Sequence, residues 1–348
     1  MANSGQHVGW LKKAETFAEW KQFKQAIAAY DKATKLKPNY VEAWTGKGKV
    51  LMDLEDFEGA IAAFNKVLKL KPQDLEGWFF KATALEELDR QDEAFACYDE
   101  ALKALPNDEG IQFFRGMYLV RQQRYEYAIE SLNRAIELTP NPMYLMARSV
   151  ALEKLERYED ALSDLDRALN LEDSTIVWIN RAKLLEKLER YDDAENSYAE
   201  AVESDTDSLM AWEEELLFFE RRENYEKALS DAEAITDIFP DAWRGWMLQG
   251  RILSKVQNYE DAIASYNRAV EIAPVAADIY YGLATCYALQ DNVEQALANL
   301  RRAIELNADL RESALTDSAF DNLRETEEFK RMSEKQKSSQ NDSLSIAI

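Results

Sequence analysis

The chain has one histidine, His7, and two cysteines, Cys97 and Cys286. A lone histidine forms no histidine pair, and neither a metal cluster nor a Ser-His-Asp arrangement can be assembled around it. The cysteines stand far apart in sequence and suggest no disulfide framework. Both fall inside helical patterns at semi-buried positions, where packing is favoured over a reactive thiol. No glycine-rich phosphate loop is found among the eleven glycines. No run of eighteen apolar residues occurs, and Met1 to Gln6 lack a basic segment leading into an apolar stretch. The expectation is a soluble, cytoplasmic protein with no cofactor, no metal and no catalytic group. Carboxylates are abundant, yet runs such as Glu213-Glu214-Glu215 read as solvated helix faces rather than as acid-base pairs.

Positive charge is also short: 42 Lys and Arg stand against 65 Asp and Glu, a formal net charge of -23. Such a surface repels nucleic-acid phosphate and anionic lipid, so nucleic acid and membrane insertion are poor partners. The hydrophobic share of 47% is ample for folding.

What is present is a period. Trp10, Trp44 and Trp78 are 34 residues apart, and so are Trp178, Trp212 and Trp246. Pro38, Pro72, Pro106 and Pro140 step by 34, and Pro240 and Pro274 repeat the step. The interval of 100 between the two sets holds three repeats if two are one residue short. Nine repeats then begin at His7, Val41, Leu75, Glu109, Pro142, Thr175, Leu209, Trp243 and Ala277 and fill residues 7–310. Each reads as two helices. In the second, Trp44, Gly48 and Leu51 fall at helical spacing, then Phe57 leads a run through Ala60, Ile61, Phe64, Val67 and Leu68 that Pro72 ends. Alanine recurs at one position of all nine repeats, from Ala26, Ala60 and Ala94 to Ala262 and Ala296, as close helix packing requires.

This pattern of Trp, small residue, aromatic, Ala and Pro resembles the tetratricopeptide repeat family, over residues 7–310. Departures are Asp173, Thr206 and Ala308 for the closing proline, Gln112 and Leu145 for the tryptophan, and Ala232 for the aromatic of the second helix. The resemblance implies an all-α, right-handed α-solenoid of about nine helix-turn-helix repeats. Residues 311–333, with Phe320, Leu323 and Phe329, look like the helical cap that closes many bacterial arrays of this family. Residues 1–6 are expected to be flexible and 334–348, polar and Ser-rich, to be disordered.

The resemblance also implies that repeat positions 2, 5, 9, 12 and 13, on first helices, line a concave ligand groove. Apolar residues stand there: Phe79, Phe113, Met117, Val120, Met143, Met146, Val150, Ile176, Ile179, Met210, Leu217, Met247 and, further out, Met52 and Tyr281. An apolar wall across repeats three to eight is the expectation, with a peptide or amphipathic helix as its ligand. The competing reading packs these side chains between repeats as core. At position 13, repeats one to three carry Glu19, Asp53 and Glu87, whereas repeats four to eight carry Arg121, Lys154, Lys187, Arg221 and Lys255. Lys183, Arg244 and Arg251 add to this basic ladder. It serves either an acidic side of the partner or simply the negative end of each first helix. The slots with which cochaperone members hold acidic chaperone tails do not fill: Asn180 and Lys183 are followed by Glu213 and Glu214. The functional expectation is a non-catalytic scaffold or adaptor for a protein or peptide ligand. The alternative is a chaperone-like assembly factor that shields hydrophobic segments of clients.

Overall fold

The computed structural model describes residues 5–334, so residues 1–4 and all of the expected disordered tail but Glu334 lie outside the described residues. Among the described residues every regular element is helical. The chain divides into two compact units, Met1–Asp173 and Ser174–Ile348. The first holds five helix pairs: α1 (Gln6–Glu19) with α2 (Phe23–Leu36), α3 (Val41–Asp53) with α4 (Phe57–Leu70), α5 (Leu75–Glu87) with α6 (Gln91–Ala104), α7 (Glu109–Arg121) with α8 (Tyr125–Leu138), and α9 (Pro142–Lys154) with α10 (Tyr158–Leu171). The second holds four: α11 (Thr175–Lys187) with α12 (Tyr191–Ser204), α13 (Leu209–Arg221) with α14 (Tyr225–Ile238), α15 (Trp243–Lys255) with α16 (Tyr259–Ile272), and α17 (Ala277–Leu289) with α18 (Val293–Leu306). It closes with α19 (Leu310–Thr316), a 3-10 helix (Ser318–Leu323) and α20 (Glu327–Glu334).

The turn inside each pair is built without glycine. One residue per repeat, Lys21, Glu55, Asp89, Gln123, Glu156, Glu189, Glu223, Gln257 and Asp291, is left-handed, with φ between 55° and 64°. In repeat four the Gln123 N–H donates to the Val120 carbonyl at 3.0 Å and the Arg124 N–H to the Leu119 carbonyl at 2.8 Å. These two bonds satisfy carbonyls that the end of α7 leaves open and reverse the chain into α8.

The turn between repeats ties two sequence columns together. The indole Nε1 of Trp44, Trp78 and Trp246 donates to the carbonyls of Pro38, Pro72 and Pro240 at 2.8–2.9 Å. Where proline is absent, Trp212 donates to the Thr206 carbonyl at 3.1 Å; where tryptophan is absent, the Tyr280 hydroxyl donates to Pro274 at 3.1 Å. These two replacements keep the bond, which needs only a donor and a main-chain carbonyl.

Packing within a pair sets two further columns. The alanine column, Ala26 to Ala296, is fully buried. A Cβ added to Gly48 would stand 2.6 Å from Phe64, and one added to Gly116 would stand 2.6 Å from Leu132. A large side chain on the second helix therefore requires a small residue on the first. Repeat seven inverts this: Leu216 occupies the small position and Ala232 the large one, both fully buried. The volume is kept by exchange, so Ala232 is compensated rather than a defect.

The last segment packs on repeat nine. Phe320, Leu323 and Phe329 are buried in one cluster with Ala284, Leu297 and Leu300. Asn322 Nδ2 donates to the Ala288 carbonyl at 2.8 Å, covering apolar surface that a next repeat would otherwise cover.

Candidate protein-binding faces

In the first unit each first helix touches the next, α1 to α3 and onward to α9, so their outward positions form one face. Phe79 packs on Phe114 with ring centroids 4.4 Å apart, and Phe113 on Tyr144 at 4.9 Å, which links α5, α7 and α9. An ion pair between Lys49 and Glu76 links α3 to α5.

The sequence-derived wall separates into three groups. Met143 at 56% and Val150 at 41% are exposed on α9, as are Ile176 at 40% and Met210 at 46% on α11 and α13 of the second unit. Phe79, Phe113, Met117, Val120, Met146, Leu217 and Met247 are half-buried. Of these, Val120 packs against the core of the first unit and Met247 against a core cluster of the second, as does Met52 in the first. Ile179 is a correction. At 1% exposure it is core, because α11 is buried on more than one side, through Val177, Ile179, Leu184 and Leu185. Tyr281 is also engaged within the chain: its hydroxyl donates to Asp317 at 2.9 Å and its ring meets Phe320 edge-on at 5.5 Å. The exposed members of the wall are thus Met143 and Val150 on the first unit and Ile176 and Met210 on the second.

The basic ladder is largely neutralised by the chain's own carboxylates. Arg121 pairs with Glu86 at 2.6 Å, Arg221 with Glu186 at 2.7 Å, Arg251 with Glu220 at 2.6 Å, Lys183 with Glu214 at 2.6 Å and Arg244 with Glu213 at 3.0 Å. Each pair joins neighbouring first helices. Lys187 is also engaged within the chain. Among the described residues Lys154 and Lys255 form no ion pair within 4 Å, and Lys255 borders a cleft of about 590 Å³ with Met247, Thr285 and Ser318. Arg121, Lys154, Lys187, Arg221 and Lys255 each end a first helix, where the helix dipole favours a cation.

The acidic halves of these pairs were missed in the sequence. Glu86 and Glu186 also accept from the hydroxyls of Tyr98 at 3.3 Å and Tyr198 at 2.6 Å, and burial raises both phenols above their ordinary value. The signal was an Arg 35 residues after a Glu, a spacing that means contact only once the repeats are stacked.

Glu213-Glu214-Glu215 is not a solvated face. Glu213 and Glu214 are half-buried in ion pairs, and Glu215 is 8% exposed. Glu215 and Asp231 occupy sites where other repeats set Arg115 against Ser131 at 2.7 Å, Arg148 against Asp164 at 2.7 Å, or Gln249 against Ser265 at 2.8 Å. Here two acids meet. Burial first, then the charges of Asp231 and Glu195, push the Glu215 carboxyl up to about 8. Burial likewise lifts Asp231 to about 7, against the pull of Lys227, and its Oδ2 is buried with no hydrogen-bond partner among the described residues. Both cysteines are buried, and burial pushes the Cys97 thiol up to about 12. No described group of three His, Cys, Asp or Glu side chains is placed to hold a metal, and no described helix is long and apolar enough to cross a membrane.

A tetratricopeptide repeat model matches residues 11–74, 45–109, 115–174, 179–243 and 247–310. No curated protein matches the chain. Among solved structures, yeast Tom70 is 15% identical, covers 97% of this chain and 90% of its own, and superposes with a TM-score of 0.47. TTC0263, a thermophilic repeat protein of Thermus thermophilus, is 18% identical over 51% of this chain and 98% of its own, with a TM-score of 0.41. YrrB, described as having an unusual peptide-binding site, is 23% identical over 48% and 87%, with a TM-score of 0.38.

Proposed function

The chain belongs to the tetratricopeptide repeat family, whose members generally mediate protein–protein interactions, and from that premise we propose that it is a non-catalytic adaptor. Its ligand is a peptide or helix with an apolar side, docked on the first-helix faces. The observation that carries this reading is the exposure of Met143 and Val150 on α9, and of Ile176 and Met210 on α11 and α13, at the first-helix positions that line the ligand groove in this family. Methionine suits a surface that must adapt to varied apolar ligands. An acidic side to the ligand has little support, because most of the ladder already faces the chain's own carboxylates.

A photo-crosslinking residue at Val150 tests the reading, with Tyr127 on α8 as the exposed control site. A discrete adduct from Val150 and none from Tyr127 is the expected result. Equal, diffuse labelling from both sites would leave the face without a function.

A further inference from the structure

We infer that the first-helix face of the first unit receives a basic, apolar segment of a partner protein, with Lys or Arg side chains over repeats one to three and apolar side chains over repeats four and five. This rests on the reading of that face as the binding surface and adds the partner's charge.

Glu15, Glu19, Glu42, Asp53 and Glu87 are exposed at groove positions of α1, α3 and α5, and among the described residues none of them forms an ion pair. Three of them stand where chain stability disfavours them. Glu19, Asp53 and Glu87 are the last residues of α1, α3 and α5, where the helix dipole is negative and a carboxylate is repelled. Repeats four to eight put Arg or Lys at that same position. Three consecutive acids at the wrong helix end, without a cation of the chain's own, leave a strip of uncompensated negative charge. Cationic side chains of a ligand would compensate both the carboxylates and the helix ends behind them.

The strip runs into the apolar patch. The Lys49–Glu76 pair and the contacts of Phe79 on Phe114 and Phe113 on Tyr144 carry one face from α3 to α9, where Met143 and Val150 are exposed. A nucleic acid or an anionic surface is repelled by such a strip, whereas a basic amphipathic segment meets complementary charge and apolar surface together.

The test is selection of a random 16-residue peptide library on the full chain, followed by binding measurements on synthesised winners. Winners are expected to combine apolar residues with net positive charge and to bind at least tenfold more weakly in 500 mM than in 50 mM salt. Glu19→Lys, Asp53→Lys and Glu87→Lys together should weaken them at least tenfold. The thermal midpoint of this triple variant should not fall, since lysine suits a helix end. A lowered midpoint would show that the acids serve the fold and would overturn the inference. Acidic or neutral winners would overturn it too, while leaving the face a binding surface. Winners indifferent to Met143→Glu with Val150→Glu, or no winners at all, would instead overturn the face itself.

Discussion

Arg221, the last residue of α13, reaches back one repeat to Glu186 on α11 at 2.7 Å, and Glu186 in turn accepts from the buried Tyr198 hydroxyl at 2.6 Å. The same three-part arrangement recurs as Arg121, Glu86 and Tyr98. The position 13 base therefore braces neighbouring repeats. A double-mutant cycle of Arg221→Gln and Glu186→Gln in urea should give a coupling of about 0.5–1.5 kcal/mol. Zero coupling would assign Arg221 to the helix end alone.

Leu216 and Ala232 exchange the volumes that other repeats place the opposite way. Leu216→Gly alone should cost about 3–5 kcal/mol by opening a cavity, and Ala232→Tyr alone should strain the core by about 1–3 kcal/mol. Made together they should recover much of the loss, read as a partly restored thermal midpoint. Strict additivity would show that the two sites do not share one space.

Glu215 holds its proton to about pH 8 in the folded chain, whereas an unfolded glutamate releases it near 4.5. Folding therefore retains a proton that unfolding gives up. That contribution is fully present below about pH 4.5 and is lost as the pH rises through about 8. Glu215→Gln should stabilise the chain relative to the parent by about 1–3 kcal/mol more at pH 9 than at pH 5. Urea unfolding of both proteins at several pH values measures this, and parallel curves would mean that Glu215 ionises normally.

Gln123 sits at φ 58° with a side chain that disfavours this backbone. Gln123→Gly should raise stability by about 0.5–1 kcal/mol, since the relief of strain exceeds the added chain entropy. The same change at Ala128, fully buried inside α8, should instead destabilise. A loss at Gln123 would mean that its side chain contributes contacts outweighing the strain.

The all-helical repeat architecture was legible in the sequence because tryptophan, proline and alanine each serve one local geometric need once per helix pair. The intra-pair turn was not legible, since the left-handed position is held by Lys, Glu, Asp or Gln rather than by the glycine that marks it elsewhere. Exposure also required the fold. Met143 and Ile179 look alike in the repeat pattern, yet one faces solvent and the other is core, because burial depends on how many helices surround a position. Charge followed the same rule. The bases at position 13 were visible, but Glu86 and Glu186 meet two of them only across stacked first helices, 35 residues away in sequence. Composition and periodicity determined what kind of chain this is. Tertiary contact decided which of its charges and apolar groups are left for a partner.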